Sequence, residues 1–334
     1  MNKAVYLFLL FTIFNTTLFA QKHIRCHSDE RTEMWKELDP KYYESLQNEI
    51  VLNPEHDSRQ MMAVVTIPVH VIIVHPPGQA IGTGVNFPMD HIQSQIDVLN
   101  EDFRRLNGDA SNTPDVFDAA DSEIEFCLAV VDPNGNATDG VTRYGTTQNL
   151  NTNEFAIKSA TGWNRNNYLN MWVGPGLGGI LGWAYLPTTG GLPNATLDGV
   201  VIASGTFGGP GYGTTNNYDL GRTCTHEVGH YLGLRHIWRS GGCGLDDGFP
   251  DTPLQDDQNF GCPNHPSPSC GNSGDMFMNY MDYVNDDCMN AFSDDQGNYM
   301  QDILNTSRSS LLDAANTYCE SAGVPLVVEV VLVT

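Results

Sequence analysis

The eleven residues 226–236 read HEVGHYLGLRH and decide the fold. His226 and His230 are four residues apart, so on a helix both imidazoles project from one face and can reach one ion. Glu227 stands beside the first histidine, where its carboxylate can face a water molecule and act as a general base. Zinc with three protein ligands keeps a fourth position open for that water, so the pattern indicates a metal site that activates water.

Gly233 and His236 extend this pattern beyond a simple pair of histidines. Glycine inside a helix costs about 1 kcal/mol relative to alanine, but its freedom to adopt positive φ suits a sharp helix end. The chain can then turn back and bring His236 to the ion as a third ligand. This spacing is the signature of the metzincins, which also carry a methionine turn beneath the metal. The turn predicted for that place is NYMDY at residues 279–283, where Met281 follows His236 by 281 − 236 = 45 residues.

The net charge and the N-terminal sequence indicate which partners and which location the protein has. The 334 residues have a formal net charge of −24, which repels phosphate backbones and anionic membrane surfaces. We therefore expect neither nucleic acid nor membrane as a partner; the charge fits simple solubility, or carboxylates that bind calcium or attract basic substrates. Lys3, a short apolar run and Ala20 predict a signal peptide over residues 1–20 and a secreted protein.

The rest of the chain predicts an α+β fold with a mixed sheet. Asp90 is predicted to cap a helix that runs to about Leu106, because Ile92, Ile96, Leu99 and Phe103 share one face at helical spacing. Polar residues 21–59 form a separate N-terminal segment, and residues 323–334 are an unassigned tail. Strands are expected at 64–74, 123–131, 168–173, 182–186 and 199–203, and a closing helix at 298–315.

Export permits disulfides, and the chain has eight cysteines. Four of them lie between residues 243 and 288, where the chain is rich in Gly, Pro, Asp and Asn, and their spacing alone allows three pairings. Cys224 is either bonded, which would brace the histidine helix, or a buried free thiol. The partners of Cys127 and Cys319 are left open by the sequence.

The motif, the NYMDY segment and the cysteine spacing together resemble the pappalysin family, in particular its short ulilysin-like members, over roughly residues 64–315. The resemblance implies a metzincin fold, with a twisted mixed sheet and its helices above the cleft and an irregular, disulfide-linked subdomain below it. It also implies a secreted zinc endopeptidase that acts on proteins and peptides. The disulfides implied are Cys243–Cys270 and Cys262–Cys288.

The same resemblance assigns roles to further residues. Met281 becomes the hydrophobic base of the zinc site, and Tyr283 a stabiliser of the tetrahedral intermediate, with simple packing as its alternative. Asp286 becomes the floor of a pocket that favours Arg or Lys directly after the scissile bond, unless it is a surface aspartate. The loop oxygens expected to bind calcium, rather than to be merely solvated, are those of Asp247, Asp251 and Thr252.

The N-terminal segment then resembles a pro-segment ahead of a catalytic domain at residues 60–322. Cys26, which follows Arg25, resembles a cysteine switch whose thiolate occupies the fourth position on zinc; a surplus cysteine is the alternative. If Asp286 selects arginine, the bond Ser58–Arg59 is a candidate for self-cleavage. The strand at 182–186 resembles the edge of the cleft, where an extended substrate can pair.

Two other classes of protein compete with an enzyme. One is an adhesin on an inactive scaffold, which the intact Glu227 and three histidines argue against. The other is a structural zinc protein, which needs a fourth protein ligand in the mature chain. Cys224 is near the motif, but on the helix it points away from the face of His226 and His230. The natural substrate and the oligomeric state are not specified by the sequence.

Overall fold

The structure is a computed structural model that describes residues 24–48, 63–119, 121–188, 191–239 and 241–319. The predicted signal peptide, the Ser58–Arg59 bond and the tail at 323–334 lie outside these residues. The strands are β1 (Val65–His75), β2 (Ile124–Leu128), β3 (Val141–Gly145), β4 (Leu169–Gly174), β5 (Gly182–Ala184) and β6 (Val200–Ala203). The α-helices are α1 (Ser28–Glu33), α2 (Trp35–Leu38), α3 (Pro40–Asn48), α4 (Met89–Phe103), α5 (Leu150–Thr161), α6 (Arg222–Tyr231), α7 (Asp294–Asn305) and α8 (Ser310–Tyr318).

The strands form one mixed sheet in the order β2-β1-β4-β6-β5. Strand β1 is long enough to pair with β2 along its first half and with β3 along its second half, on the same side. All these pairs are parallel except β5 with β6, which is antiparallel and places β5 at the edge. The prediction of an α+β fold with a mixed sheet is confirmed.

Strand β1 shows why the sheet is buried on both faces. Side chains alternate between the two faces of a strand, and the near-continuous apolar run of β1 supplies both. Ile67, Val69, Val71 and Ile73 enter the larger core with α4, α6 and the C-terminal region. Ile72 and Val74 enter a second core on the opposite face, beneath α5.

Helix α4 packs on the larger core with the predicted face. Ile92, Ile96, Leu99 and Phe103 are all at most 1% exposed. Burying one such side chain stabilises the fold by roughly 1.5–3 kcal/mol. The predicted N-cap was wrong by two residues: Pro88 and not Asp90 occupies the N-cap position, and the helix begins at Met89. Its last helical residue is Phe103, three residues before the predicted end.

The predicted closing helix is two helices, α7 and α8, because Arg308 interrupts it. The Arg308 guanidinium is buried, forms an ion pair with Asp198 at 2.8 Å, and donates from Nε to the Tyr231 carbonyl at 2.9 Å. This contact anchors the end of α6. Strand β3 and helix α5 were not predicted, because β3 is short and half-buried and α5 lacks a clear apolar stripe.

Three disulfides join loops and termini. Cys243–Cys270 and Cys262–Cys288 link the irregular region after α6, in the pairing that the family resemblance implies. Cys127–Cys319 ties β2 to the end of α8. Cys224 is a buried free thiol, 3.6 Å from the Met171 sulfur. Within the described residues, no helix has both the length and the apolar character needed to cross a membrane.

Candidate active site

Helix α6 presents the first two histidines of the motif, and a glycine turn returns the third. The helix ends at Tyr231, and Gly233 follows with φ of +97°, which favours glycine. A Cβ at position 233 would also lie 2.8 Å from the Tyr299 ring. The turn brings His236 back, so that its Nε2 lies 3.2 Å from that of His226 and 3.1 Å from that of His230.

The opposite nitrogen of each imidazole is held by an acceptor. His226 Nδ1 donates to the Tyr280 carbonyl at 2.6 Å, and His230 Nδ1 to the Leu234 carbonyl at 2.7 Å. His236 Nδ1 lies 2.8 Å from the Asp29 carboxylate. These partners place a proton on each Nδ1 and leave the Nε2 lone pairs facing one point.

This donor set fits a zinc ion. Four ligands at about 2.0–2.1 Å in a tetrahedron lie about 3.3 Å from one another, close to the separations of the three Nε2 atoms. All three histidines are at most 1% exposed. Burial lowers the pKa of His226 well below its usual value and that of His230 to about 3, so both rings are neutral and able to ligate. Three lone pairs that converge without a proton between them require a cation.

Glu227 lies beside this point with one oxygen free. It is fully buried, and burial raises its pKa to about 8. Its Oε2 accepts from Ser28 at 3.3 Å and lies 3.5 Å from the Cys26 sulfur, whereas Oε1 has no partner among the described residues. Gly182 of β5 makes room for this carboxylate, since a Cβ there would lie 2.7 Å from Glu227 Cγ. Gly182 opens the strand predicted at 182–186, but this close approach to Glu227 was not predicted.

Met281 lies directly beneath α6. Its sulfur would be 2.5 Å from a Cβ at position 229, so Gly229 is required for this close approach. The turn is fixed by Asn279, whose Oδ1 accepts from the Met281 amide at 2.9 Å. The neighbouring Tyr280 carbonyl is the partner of His226 Nδ1, so the turn also orients this imidazole. Gly229 could have been found from the motif, because a glycine inside a helix needs a packing reason.

Tyr283 packs at the side of the metal site. Its ring lies 5.0 Å from that of His236 and 4.6 Å from that of Trp238, between centroids. Its hydroxyl donates to the Cys26 carbonyl at 3.2 Å. Trp238 stacks on His236 at 4.4 Å and was not predicted, because nothing in the motif extends to that position.

The N-terminal segment crosses the site along β5 and does not form a separate body. Ile24 bridges Ile180 in parallel, and the His27 amide donates to the Gly182 carbonyl at 3.0 Å. Cys26 is 2% exposed, and one ligand atom from each of Cys26, His226, His230 and His236 lies within 4.8 Å of the others. The structure thus brings Cys26 to the three histidines.

Arg25 and Asp286 meet in a buried pocket beside the site. The Arg25 guanidinium lies 2.9 Å from the Asp286 carboxylate, and both side chains are 1% exposed. The other Asp286 oxygen accepts the amides of Leu220 at 3.0 Å and Arg222 at 3.3 Å, at the start of α6. Asp286 therefore has a buried side chain paired with Arg25 and is not a surface aspartate.

The residues expected to bind calcium are only partly together. Thr252 donates to Asp247 Oδ1 at 2.7 Å. Asp247 Oδ2 is buried and has no partner among the described residues, so it is an oxygen that a cation could use as a ligand. Asp251 instead accepts from Ser293 at 2.7 Å and from the Asp295 amide at 2.8 Å, at the start of α7.

Comparison with known proteins places this fold and site among metalloproteases. The family model described as Pregnancy-associated plasma protein-A matches residues 151–305. An extracellular metalloprotease of Arthroderma benhamiae is 32% identical over 266 residues, which are 78% of this chain and 85% of that protein. A Trichophyton verrucosum extracellular metalloprotease matches to the same extent. The chain belongs to this pappalysin family and is a metalloendopeptidase.

Solved structures agree. A promirolysin mutant from Tannerella forsythia has a TM-score of 0.76 and 38% identity, covering 89% of this chain and 99% of that one. Mature mirolysin of the same organism, in complex with a cleaved peptide, has a TM-score of 0.71 and 40% identity, covering 78% of this chain and 100% of that one. The likeness to the proenzyme extends further along this chain than the likeness to the mature form.

Proposed function

We propose that the chain is a secreted zinc endopeptidase that cleaves proteins by Glu227-assisted attack of water and is made as a latent zymogen. The observation that carries this proposal is the convergence of three Nε2 lone pairs at a point that Cys26 also reaches, with Glu227 Oε2 3.5 Å from the Cys26 sulfur. The extracellular relatives and the predicted signal peptide support an extracellular location. The proposed divisions are a signal peptide at 1–20, a pro-segment at 21–59, a catalytic domain at 60–322 and a short tail at 323–334.

In this mechanism the protein positions charge and protons around the scissile bond. Zinc, when bound, supplies Lewis acidity to the carbonyl and to water. Glu227 Oε2, the oxygen that faces Cys26 in the zymogen, accepts the proton of the attacking water and later delivers it to the leaving amine. Tyr283, once Cys26 has gone, donates its hydroxyl to the developing oxyanion. Strand β5, whose edge the N-terminal segment covers in this structure, offers that edge to the substrate backbone once the segment has gone.

Latency follows from what the N-terminal segment covers. Cys26 takes the position that water needs, and the carbonyl of the same residue holds the Tyr283 hydroxyl. Cys26 therefore blocks both the position proposed for the attacking water and the Tyr283 hydroxyl proposed to stabilise the oxyanion. Cleavage of the proposed self-cleavage bond Ser58–Arg59, which releases residues 21–58, then uncovers the site.

The pair of Arg25 and Asp286 supports a preference for arginine or lysine directly after the scissile bond. Arg25 is the residue beside Cys26, and its guanidinium already fills the pocket of Asp286. A buried carboxylate with an open pocket favours a basic side chain, because leaving the charge unpaired costs free energy. The pro-segment thus presents to this pocket the side chain that a substrate would present.

Cleavage-site profiling of a peptide library tests this preference. Arginine and lysine are expected after the cut, and Asp286→Asn should lower kcat/KM for such peptides about 100-fold, since truncating a buried charge pair costs about 2–5 kcal/mol. Asp287→Asn, at the exposed neighbour, is the matched control and should leave the profile unchanged. A library cut without any basic preference would contradict the role of Asp286.

The loop of Asp247, Asp251 and Thr252 is proposed to bind calcium. Calcium should raise the melting temperature of the zymogen. At a hundredfold excess of calcium over Kd, the free energy of unfolding should increase by about 2.7 kcal/mol, and magnesium should have a much smaller effect. Asp247→Ala should abolish the calcium effect, whereas Asp257→Ala, at an exposed aspartate nearby, should preserve it. Equal melting temperatures with calcium and with a chelator would count against the site.

A further inference from the structure

A second arginine of the N-terminal segment is buried at a site of its own. Arg31 lies on α1 and is 8% exposed. One guanidinium nitrogen lies 2.9 Å from the Glu154 carboxylate, and another donates to the Asn151 side-chain oxygen at 2.8 Å. The guanidinium carbon lies 4.3 Å above the Trp183 ring. A carboxylate, an amide oxygen and an aromatic face therefore surround one planar cation.

The pocket is built by the catalytic domain and does not depend on Arg31 to hold its shape. Glu154 accepts from Trp183 Nε1 at 2.8 Å and from the Tyr185 hydroxyl at 2.9 Å. The buried Lys158 ammonium lies 2.9 Å from the other side of the same carboxylate. Glu154 thus keeps three partners after Arg31 leaves, so the pocket can remain formed and open.

Shape and not net charge makes this pocket select a guanidinium. Lys158 already balances the charge of Glu154, so a simple cation gains little there. A guanidinium can bond the carboxylate and the Asn151 oxygen in one plane and stack on Trp183, which an ammonium cannot do.

We propose that Glu154, Asn151 and Trp183 form a second arginine-binding site, which Arg31 fills in the zymogen and an arginine of a bound protein substrate fills after processing. The substrate half of this inference rests on the proposed function. Trp183 belongs to β5, the strand whose edge a substrate would follow. Arg25 and Arg31 are six residues apart in the N-terminal segment, so one peptide can fill both this site and the pocket of Asp286.

Chemical rescue tests the site in the full-length zymogen without any measurement of activity. Arg31→Ala empties the pocket and should lower the melting temperature, and added ethylguanidinium should raise it by about 2–3 °C. Ethylammonium should not, and neither compound should shift the native zymogen or Arg31→Lys by that amount. Equal shifts with the two compounds, or an equal shift in the native zymogen, would overturn the site.

Peptide kinetics test the substrate half in the processed enzyme. Peptides with a basic residue after the cut and a second arginine at varied distances are compared with the same peptides carrying citrulline at the second position. We expect one spacing at which arginine lowers KM about fivefold to tenfold, and ethylguanidinium should remove that difference. If arginine lowers KM at none of the spacings, the proposal that a substrate arginine fills this site is overturned. If ethylguanidinium stabilises Arg31→Ala but the processed protein cleaves no peptide, the proposed function itself is overturned.

Discussion

Glu227→Gln is expected to lower kcat/KM on a peptide substrate by about 10³-fold while zinc stays bound. Glutamine keeps the shape of the side chain but cannot accept the proton of water, and a positioned general base contributes about 10²–10⁴-fold. The loss should appear mainly in kcat, because Glu227 makes no contact that would hold a ground-state substrate. The basicity removed is that of Oε2, which lies 3.5 Å from the Cys26 sulfur in the zymogen.

The measurement separates this role from metal binding and from activation. The Glu227→Gln zymogen should not cleave itself, but a trace of processed wild-type enzyme should remove its pro-segment. The variant and the wild type can then both be compared in the processed form. Metal content by mass spectrometry should equal that of the wild type. Glu101→Gln, at an exposed position of α4, is the control. A variant that retains zinc and cleaves peptides at a normal rate would exclude the mechanism.

The sequence was most informative where chemistry fixes spacing. The turn at Gly233 and the return of His236 follow from helix geometry and from the freedom of glycine, and the structure has both. The burial of Ile92, Ile96, Leu99 and Phe103 follows from a period of 3.6 residues in the same way. Local rules of this kind need no knowledge of the rest of the chain.

Contacts between distant segments could not be predicted in that way. The pairing of Cys127 with Cys319 spans 192 residues, and the sequence around neither cysteine indicates which cysteine it bonds. Asp29 reaches His236 across 207 positions, so an acid of the N-terminal segment orients the third histidine of the motif. Strand β3 is held by its register on β1 and not by its own half-buried residues.

Cys26→Ala is expected to end latency. The thiol is the group that stands at the metal site, and alanine leaves that position open to water. Zymogen of this variant should process itself at least about tenfold faster, since losing a metal–ligand contact should shift the closed state by more than 1.4 kcal/mol. Arg25 and Arg31 still hold the segment in place, so the variant should fold and be secreted like the wild type.

The time course of N-terminal cleavage, followed by gel electrophoresis and N-terminal sequencing, measures this effect. Cys224→Ala is the matched control, because Cys224 is the other buried free thiol and lies against Met171, away from the histidines. It should process at the wild-type rate. If Cys26→Ala is as latent as the wild type, steric cover by the segment anchored at Arg25 and Arg31 is sufficient, and the thiol is not the switch.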